Sequence, residues 1–268
     1  MVWEFSMRLT KHHGLGNDFL VGLVEQAPRS LASFARDICD RRTGIGADGL
    51  VLGLPGKKGA DLTMLLHNSD GSIAEMSGNG IRCLAQAHAM AHRTGATSLE
   101  IDTTGGRRQV EIDSDGPNAE ASVNMGPVGP GPGVDDRILA ETVGSLVGTA
   151  DLGNPHLVLV VDDLAAVDIG ELGARYEALY PQGINVEWVA ADPNNGNNLD
   201  MLVWERGAGV TQACGTGATA AAFLAHEWGL VEQQVNVRMP GGEVQVVANE
   251  HPLLIGRTDY VASIELST

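Results

Sequence analysis

The sequence predicts an α+β protein of two pseudo-symmetric domains, each a β-sheet or open barrel wrapped around a central helix. Three observations predict it. A Gly-x-Gly turn leading into a run of helix formers occurs twice, a strand–Gly-Gly–strand pattern follows each copy, and both helices are too apolar for a surface. Met76-Ser-Gly-Asn-Gly-Ile-Arg-Cys-Leu-Ala-Gln-Ala87 aligns with Ala213-Cys-Gly-Thr-Gly-Ala-Thr-Ala-Ala-Ala-Phe-Leu224, so that Ser77 matches Cys214, Gly78 Gly215, Asn79 Thr216 and Gly80 Gly217. The two matches share nearly the same offset, about half of the 268 residues, which points to internal duplication.

Residues 1–6 precede a second methionine, Met7, and read as a dispensable extension. In His13-Gly-Leu-Gly-Asn-Asp-Phe19 the turn glycines place Asn17 on a loop. Gly44-Ile-Gly-Ala-Asp-Gly49 fits G-x-G-x-x-G to the letter, but a polar stretch precedes it and the strand-like Leu50-Val-Leu52 follows, which excludes a dinucleotide-binding turn. Asn68-Ser-Asp-Gly71 is a further turn. A helix apolar nearly all round is buried, and strands wrapped about it satisfy that requirement. Leu99–Ile112 and Val235–Ala248 then each read as an alternating hairpin around Gly-Gly.

The Pro/Gly-dense Gly126–Val134 can continue neither a helix nor a central strand and marks the seam. The expected halves are residues 1–126, joined by a C-terminal strand 259–268, and residues 127–258. In the second half, Asn154 opens Gly153-Asn-Pro-His156, Asn185 sits in Gly-Ile-Asn-Val186, and Glu205-Arg206-Gly-Ala-Gly209 lies just upstream of Cys214.

Composition bounds the function. A net charge of −17 argues against a nucleic-acid partner. No apolar run is long enough to span a membrane, and the opening residues are no signal peptide. Three cysteines fit a reducing compartment, with the cytoplasm as the expected location.

The two Gly-x-Gly turns carry the chemistry. A small residue followed by Gly-x-Gly at a helix start exposes backbone N–H groups at the positive end of the dipole, which suits an anion. Two such helices, one per half and facing each other across one active site, are expected to hold a single carboxylate. Cys214 at one mouth is expected to have its thiolate stabilised by the same dipole. Inverting a carbon next to a carboxylate needs a base on one face, an acid on the other, and stabilisation of the carboxylate as charge flows into it. Cys83 lies six residues beyond Ser77, about 9 Å deeper on another face of the helix, and does not reach the mouth. Cys39 reads as structural. Asparagine is common in turns for its own reasons, so Asn17, Asn68, Asn154 and Asn185 gain meaning only together.

Taken in order, these blocks resemble the diaminopimelate epimerase family through nearly the whole chain after residue 7. They are His13–Phe19, Arg42-Thr-Gly-Ile-Gly-Ala-Asp-Gly49, Asn68–Ser72, Gly78-Asn-Gly-Ile-Arg-Cys83, Gly153–His156, Trp204–Gly209 and Ala213–Gly217. The resemblance implies interconversion of LL- and meso-diaminopimelate on the lysine and peptidoglycan route, with neither pyridoxal phosphate nor metal, by an enzyme that is usually a homodimer. It implies that Asn17, Asn68, Asn154, Asn185, Glu205 and Arg206 hold the substrate. Gly78, Asn79, Gly215 and Thr216 are implied to grip the carboxylate at the reacting carbon, Cys214 to be one acid/base thiol, and His156 and Glu205 to tune the site.

The departure is Ser77, where the family has a cysteine; Val210, where many members carry glutamate, is a lesser one. A serine hydroxyl offers almost no alkoxide at neutral pH. Three accounts of Ser77 stand: a substitution that silences the enzyme and keeps its shape, a natural variant in which His67 or Glu75 is recruited, or a diverged relative with another task. Other readings are a racemase or dehydratase acting on proline-type substrates, a phenazine-type isomerase (disfavoured by Cys214), and a catalytically dead amino-acid-binding protein.

Overall fold

A computed structural model describes residues 7–192 and 195–266. The extension expected at residues 1–6 lies outside them. In chain order come β1 (Met7–Gly14), β2 (Asn17–Leu23), α1 (Leu31–Cys39), β3 (Gly49–Pro55), β4 (Leu62–Asn68), α2 (Gly78–His92), β5 (Thr97–Thr103), β6 (Gly106–Ile112) and β7 (Asn118–Asn124). There follow β8 (Gly129–Pro130), α3 (Asp136–Glu141), β9 (Val147–Asp151), β10 (Pro155–Val160), α4 (Ile169–Glu177), β11 (Asn185–Ala191), β12 (Asn198–Glu205), β13 (Gly209–Val210) and α5 (Gly215–Glu227). The chain ends on β14 (Gln234–Met239), β15 (Gly242–Val247) and the long β16 (Leu253–Leu266). Two compact units result, residues 1–123 with 256–268, and residues 124–255.

The first unit is a closed eight-stranded barrel in the order β1-β2-β3-β4-β5-β6-β7-β16, with β16 pairing back onto β1. In the second unit the order runs from the start of β16 through β15, β14, β12, β11, β10 and β9 to β8, with β13 beside β12. Strand directions repeat. In the first unit β2–β3 and β4–β5 are parallel, and in the second β10–β11 and β12–β14 are parallel. The matched pairs between them are antiparallel. The same fold is thus written twice in one chain.

Parallel pairs need crossovers, and the helices supply them. β3 is buried on both faces because Leu50 and Leu52 pack against Phe34, Ala35 and Ile38 of α1, while Val51 faces Gly80 of α2. That is why it reads as a continuous apolar run. In the second unit Leu157, Leu159, Val186 and Trp188 pack with Tyr176 of α4. α2 is buried from Gly78 through Ala87 and α5 from Gly215 through Ala222, each surrounded by the strands of its own unit. The Gly44–Gly49 stretch leads into β3 and not into a helix. Among the described residues no helix is long and apolar enough to cross a membrane.

Candidate active site

Both central helices start alike. Ser77 is the N-cap of α2, with extended backbone, and its Oγ accepts from the Gly80 N–H at 3.0 Å. Cys214 is the N-cap of α5, with similar backbone angles, and its Sγ accepts from the Gly217 N–H at 3.3 Å. Each cap satisfies one of the orphan donors of its first turn and leaves others for a ligand.

In the first unit the β1–β2 hairpin delivers Asn17. Its two-residue loop puts Leu15 and Gly16 at positive φ, as a tight turn matched to strand twist requires. The Asn79 amide donates to Asn17 Oδ1 at 3.1 Å, and Asn17 donates to Asp48 at 2.8 Å. Beneath them Arg82, fully buried, donates to Asn79 Oδ1 at 2.6 Å, while its Nε and Nη1 have no partner. Burial depresses this guanidinium to about 10, so it stays charged at neutral pH. Asn68 is exposed at the end of β4 and donates to Ser72 Oγ at 3.0 Å. His67 is buried, its imidazole pushed down by burial, and the Glu75 carbonyl accepts from the Gly105 N–H.

In the second unit the groups interlock. Thr216 Oγ1 lies 3.5 Å from Cys214 Sγ and accepts from the Asn154 amide at 3.2 Å. Asn154 Oδ1 meets His156 Nε2 at 3.2 Å, and His156 Nδ1 meets Glu187 Oε1 at 2.7 Å, both of these side chains wholly buried. Glu205 accepts from Thr211 at 2.6 Å. Asn185 staples the loops: its amide donates to Pro155 O at 3.0 Å and its Oδ1 accepts from the Arg206 N–H at 2.9 Å. The Arg206 guanidinium leans on the Gln182 carbonyl, and Val210 is exposed.

One expectation fails here. A helix start alone would favour a Cys214 thiolate, yet this thiol is pushed well above its ordinary value, first by burial and then by the charges of Glu205 and Glu187. Thr216 and the Gly217 N–H work against them and lose. Burial also raises Glu205 and, against the pull of His156, Glu187. Cys39 and Cys83 are buried thiols raised to about 12 and 11, which fits structural roles.

Two groups escaped the sequence reading. Glu187 was legible only as the one ionisable residue in the apolar run Ile184–Ala191, and Arg82 as a cation inside an otherwise buried helix.

A closed eight-stranded barrel joined to a second set of strands of matching direction, each unit with a side-chain-capped central helix, is the class of fold that the two units define. Solved structures agree at the level of fold. A hydroxyproline epimerase from Agrobacterium vitis superposes with a TM-score of 0.71 at 17% identity, covering 99% of this chain and 94% of that one. A phenazine biosynthesis protein from Bacillus anthracis gives 0.70 at 13% identity, covering 98% and 100%. The family model described as diaminopimelate epimerase matches residues 9–129 and 148–260. The diaminopimelate epimerase of Nostoc punctiforme is 38% identical over 91% of this chain and 93% of its own, and that of Microcystis aeruginosa 40% over 88% and 89%. The chain belongs to the diaminopimelate epimerase family.

Proposed function

We propose that this chain is a cofactor-independent epimerase that interconverts LL- and meso-2,6-diaminopimelate by removing and returning the α-proton. The observation that carries the reading is the pair of matched helix starts, one capped by Cys214 and the other by Ser77, in a chain of this family. The units 1–123 with 256–268 and 124–255 are taken as the two epimerase halves.

At Cys214 the sulfur takes the α-proton as thiolate or returns it as thiol, with the Glu205 charge favouring the thiol. As the proton leaves, charge flows into the α-carboxylate, and N–H groups at a helix start stabilise it there. Gly78 and Asn79 of the first unit, and Gly215 and Thr216 of the second, are assigned to that carboxylate. Asn17, Asn68, Asn154, Asn185, Glu205 and Arg206 are assigned to the rest of the substrate, and His156 and Glu205 to tuning. At the other position Ser77 donates a proton poorly and abstracts one worse, so turnover is slow. The reading further places the enzyme in the cytoplasm, on the lysine and peptidoglycan route, as a homodimer.

The test is incubation with LL- and then meso-diaminopimelate in heavy water, following deuterium at the α-carbon. Inversion with solvent label from both isomers supports the epimerase. Exchange of one isomer without inversion assigns the work to Cys214 alone. Tight binding with no exchange overturns the enzymatic reading in favour of an amino-acid-binding protein.

A further inference from the structure

We infer that Glu187 is a positioning residue: through His156 and Asn154 it orients the Thr216 hydroxyl as a hydrogen-bond donor to Cys214 Sγ. Nothing in the family resemblance assigned it a role. Its carboxyl is wholly buried, paired with His156 at 2.7 Å, and its second oxygen, Oε2, is buried with no partner. A Cβ on Gly217 would stand 2.5 Å from Glu187 Oε1, so the carboxyl lies against the same turn of α5 whose N–H holds the sulfur.

The direction of the chain follows from counting protons. One proton across the His156–Glu187 contact gives either an imidazolium with a carboxylate or a neutral imidazole with a carboxylic acid, and in both His156 Nε2 carries hydrogen. The remaining state, a carboxylate beside an imidazole bare at Nε2, buries a net negative charge with an orphan oxygen, which is the most heavily penalised of the three. A protonated Nε2 selects Asn154 Oδ1 as its acceptor, turning the amide so that Nδ2 donates to Thr216 Oγ1. Thr216 then has its own proton free. A Cys214 thiolate has no proton to give, so the contact between Thr216 and the sulfur takes the threonine proton. The ionisable groups facing Cys214 are Glu205 on β12 and Glu187 on β11, the latter tied to His156 on β10.

The inference deepens the reading of Cys214 as an acid/base group, but its test follows the sulfur's ionisation and not turnover, so an inactive epimerase leaves it standing. The rate of iodoacetamide alkylation of Cys214 at fixed pH, read by mass spectrometry, scales with its thiolate fraction, and its ¹³Cβ shift gives the titration directly. Thr216→Val removes one hydrogen bond to a charged acceptor and is expected to slow alkylation about tenfold or more. Thr216→Ser keeps the rate. Glu187→Gln permits an imidazole bare at Nε2 and also removes a charge that raises the thiol, so it speeds alkylation more in the Thr216→Val background, where only the charge acts, than in the wild-type chain. The double variant is no slower than Thr216→Val alone, because the chain acts through that one hydroxyl. Equal effects of Glu187→Gln in the two backgrounds would show that the carboxylate acts on the sulfur by its charge alone, and would overturn the inference. Should Glu187→Gln not fold, Asn154→Leu breaks the same chain one link on and must show the same non-additivity.

Discussion

At the scale of single residues, the two helix caps are geometrically matched and chemically unequal. Ser77 sits where a thiol would meet the same Gly80 N–H, so Ser77→Cys alters the acid strength with little change in shape. A positioned acid/base group contributes on the order of a hundredfold or more, so Ser77→Cys is expected to raise kcat by at least about that factor with KM changed little. Steady-state kinetics with LL-diaminopimelate check this, and an unchanged kcat would remove residue 77 from the proton path. Cys214 sets a second expectation. Its thiol is raised by burial and by Glu205 and Glu187, so at neutral pH it rests protonated and the reactive thiolate is the minor form. Raising the pH fills that form, and α-deuterium exchange of the isomer served by Cys214 is expected to climb about tenfold per pH unit; a flat profile would show that another group removes the proton. Cys214, Ser77 and Asn79 were legible in the sequence because the Gly-x-Gly repeat fixes their place at helix starts. Glu187 and Arg82 were not: Glu187 takes its meaning from His156, 31 residues away, and Arg82 from wholesale burial with Nε and Nη1 unpartnered, and neither shows in a short window.

At the scale of elements, the Gln86 amide ties α2 to three parts of its barrel. Gln86 Oε1 meets His12 Nδ1 of β1 at 2.8 Å and accepts from Thr258 of β16 at 3.0 Å, while Nε2 donates to the carbonyls of Gly116 and Pro117 ahead of β7. His12 is held neutral inside this network: burial lowers it to about 4, against the hydrogen bond it donates to Gln86. The unfolded imidazole takes its proton near 6.5 and the folded one near 4, so between those values the unfolded chain binds the extra proton. Stability therefore falls as pH drops through that window, by about 3 kcal/mol from this group alone at its lower end, and the penalty vanishes above it. His12→Asn, which can still bond to Gln86, is expected to flatten that part of the profile; urea midpoints of both proteins across the window measure it, and equal slopes would refute the assignment. The hairpins β5–β6 and β14–β15 were legible because Gly-Gly turns and alternation are local signals. The parallel pairs β2–β3 and β12–β14 were not, because their register is fixed by packing on α1, α2 and α5 and leaves no mark in a short window.

At the scale of the whole molecule, the duplication is legible but its closure is asymmetric. The second unit is one continuous stretch, residues 124–255, whereas the first needs residues 256–268 to complete its barrel. Met7 pairs with Leu266 and His13 with Asp259, so β1, hairpinned locally to β2, finds its second partner only across nearly the full length of the chain. The entropy of closing a loop must be met before such contacts reward it, and it grows with loop length. The second unit's strand pairs span shorter separations, the β14–β15 hairpin closing the shortest turn among them and the β11–β12 hairpin short as well. Refolding from urea should therefore protect the amides of β11 and β12 before those of β1, with the β1–β16 pairing among the last to form. Pulsed hydrogen exchange with fragment mass spectrometry reads this order directly. Protection of β1 at the same time as β11 would mean that both units fold as a single cooperative body, and that the discontinuity of the first carries no kinetic consequence.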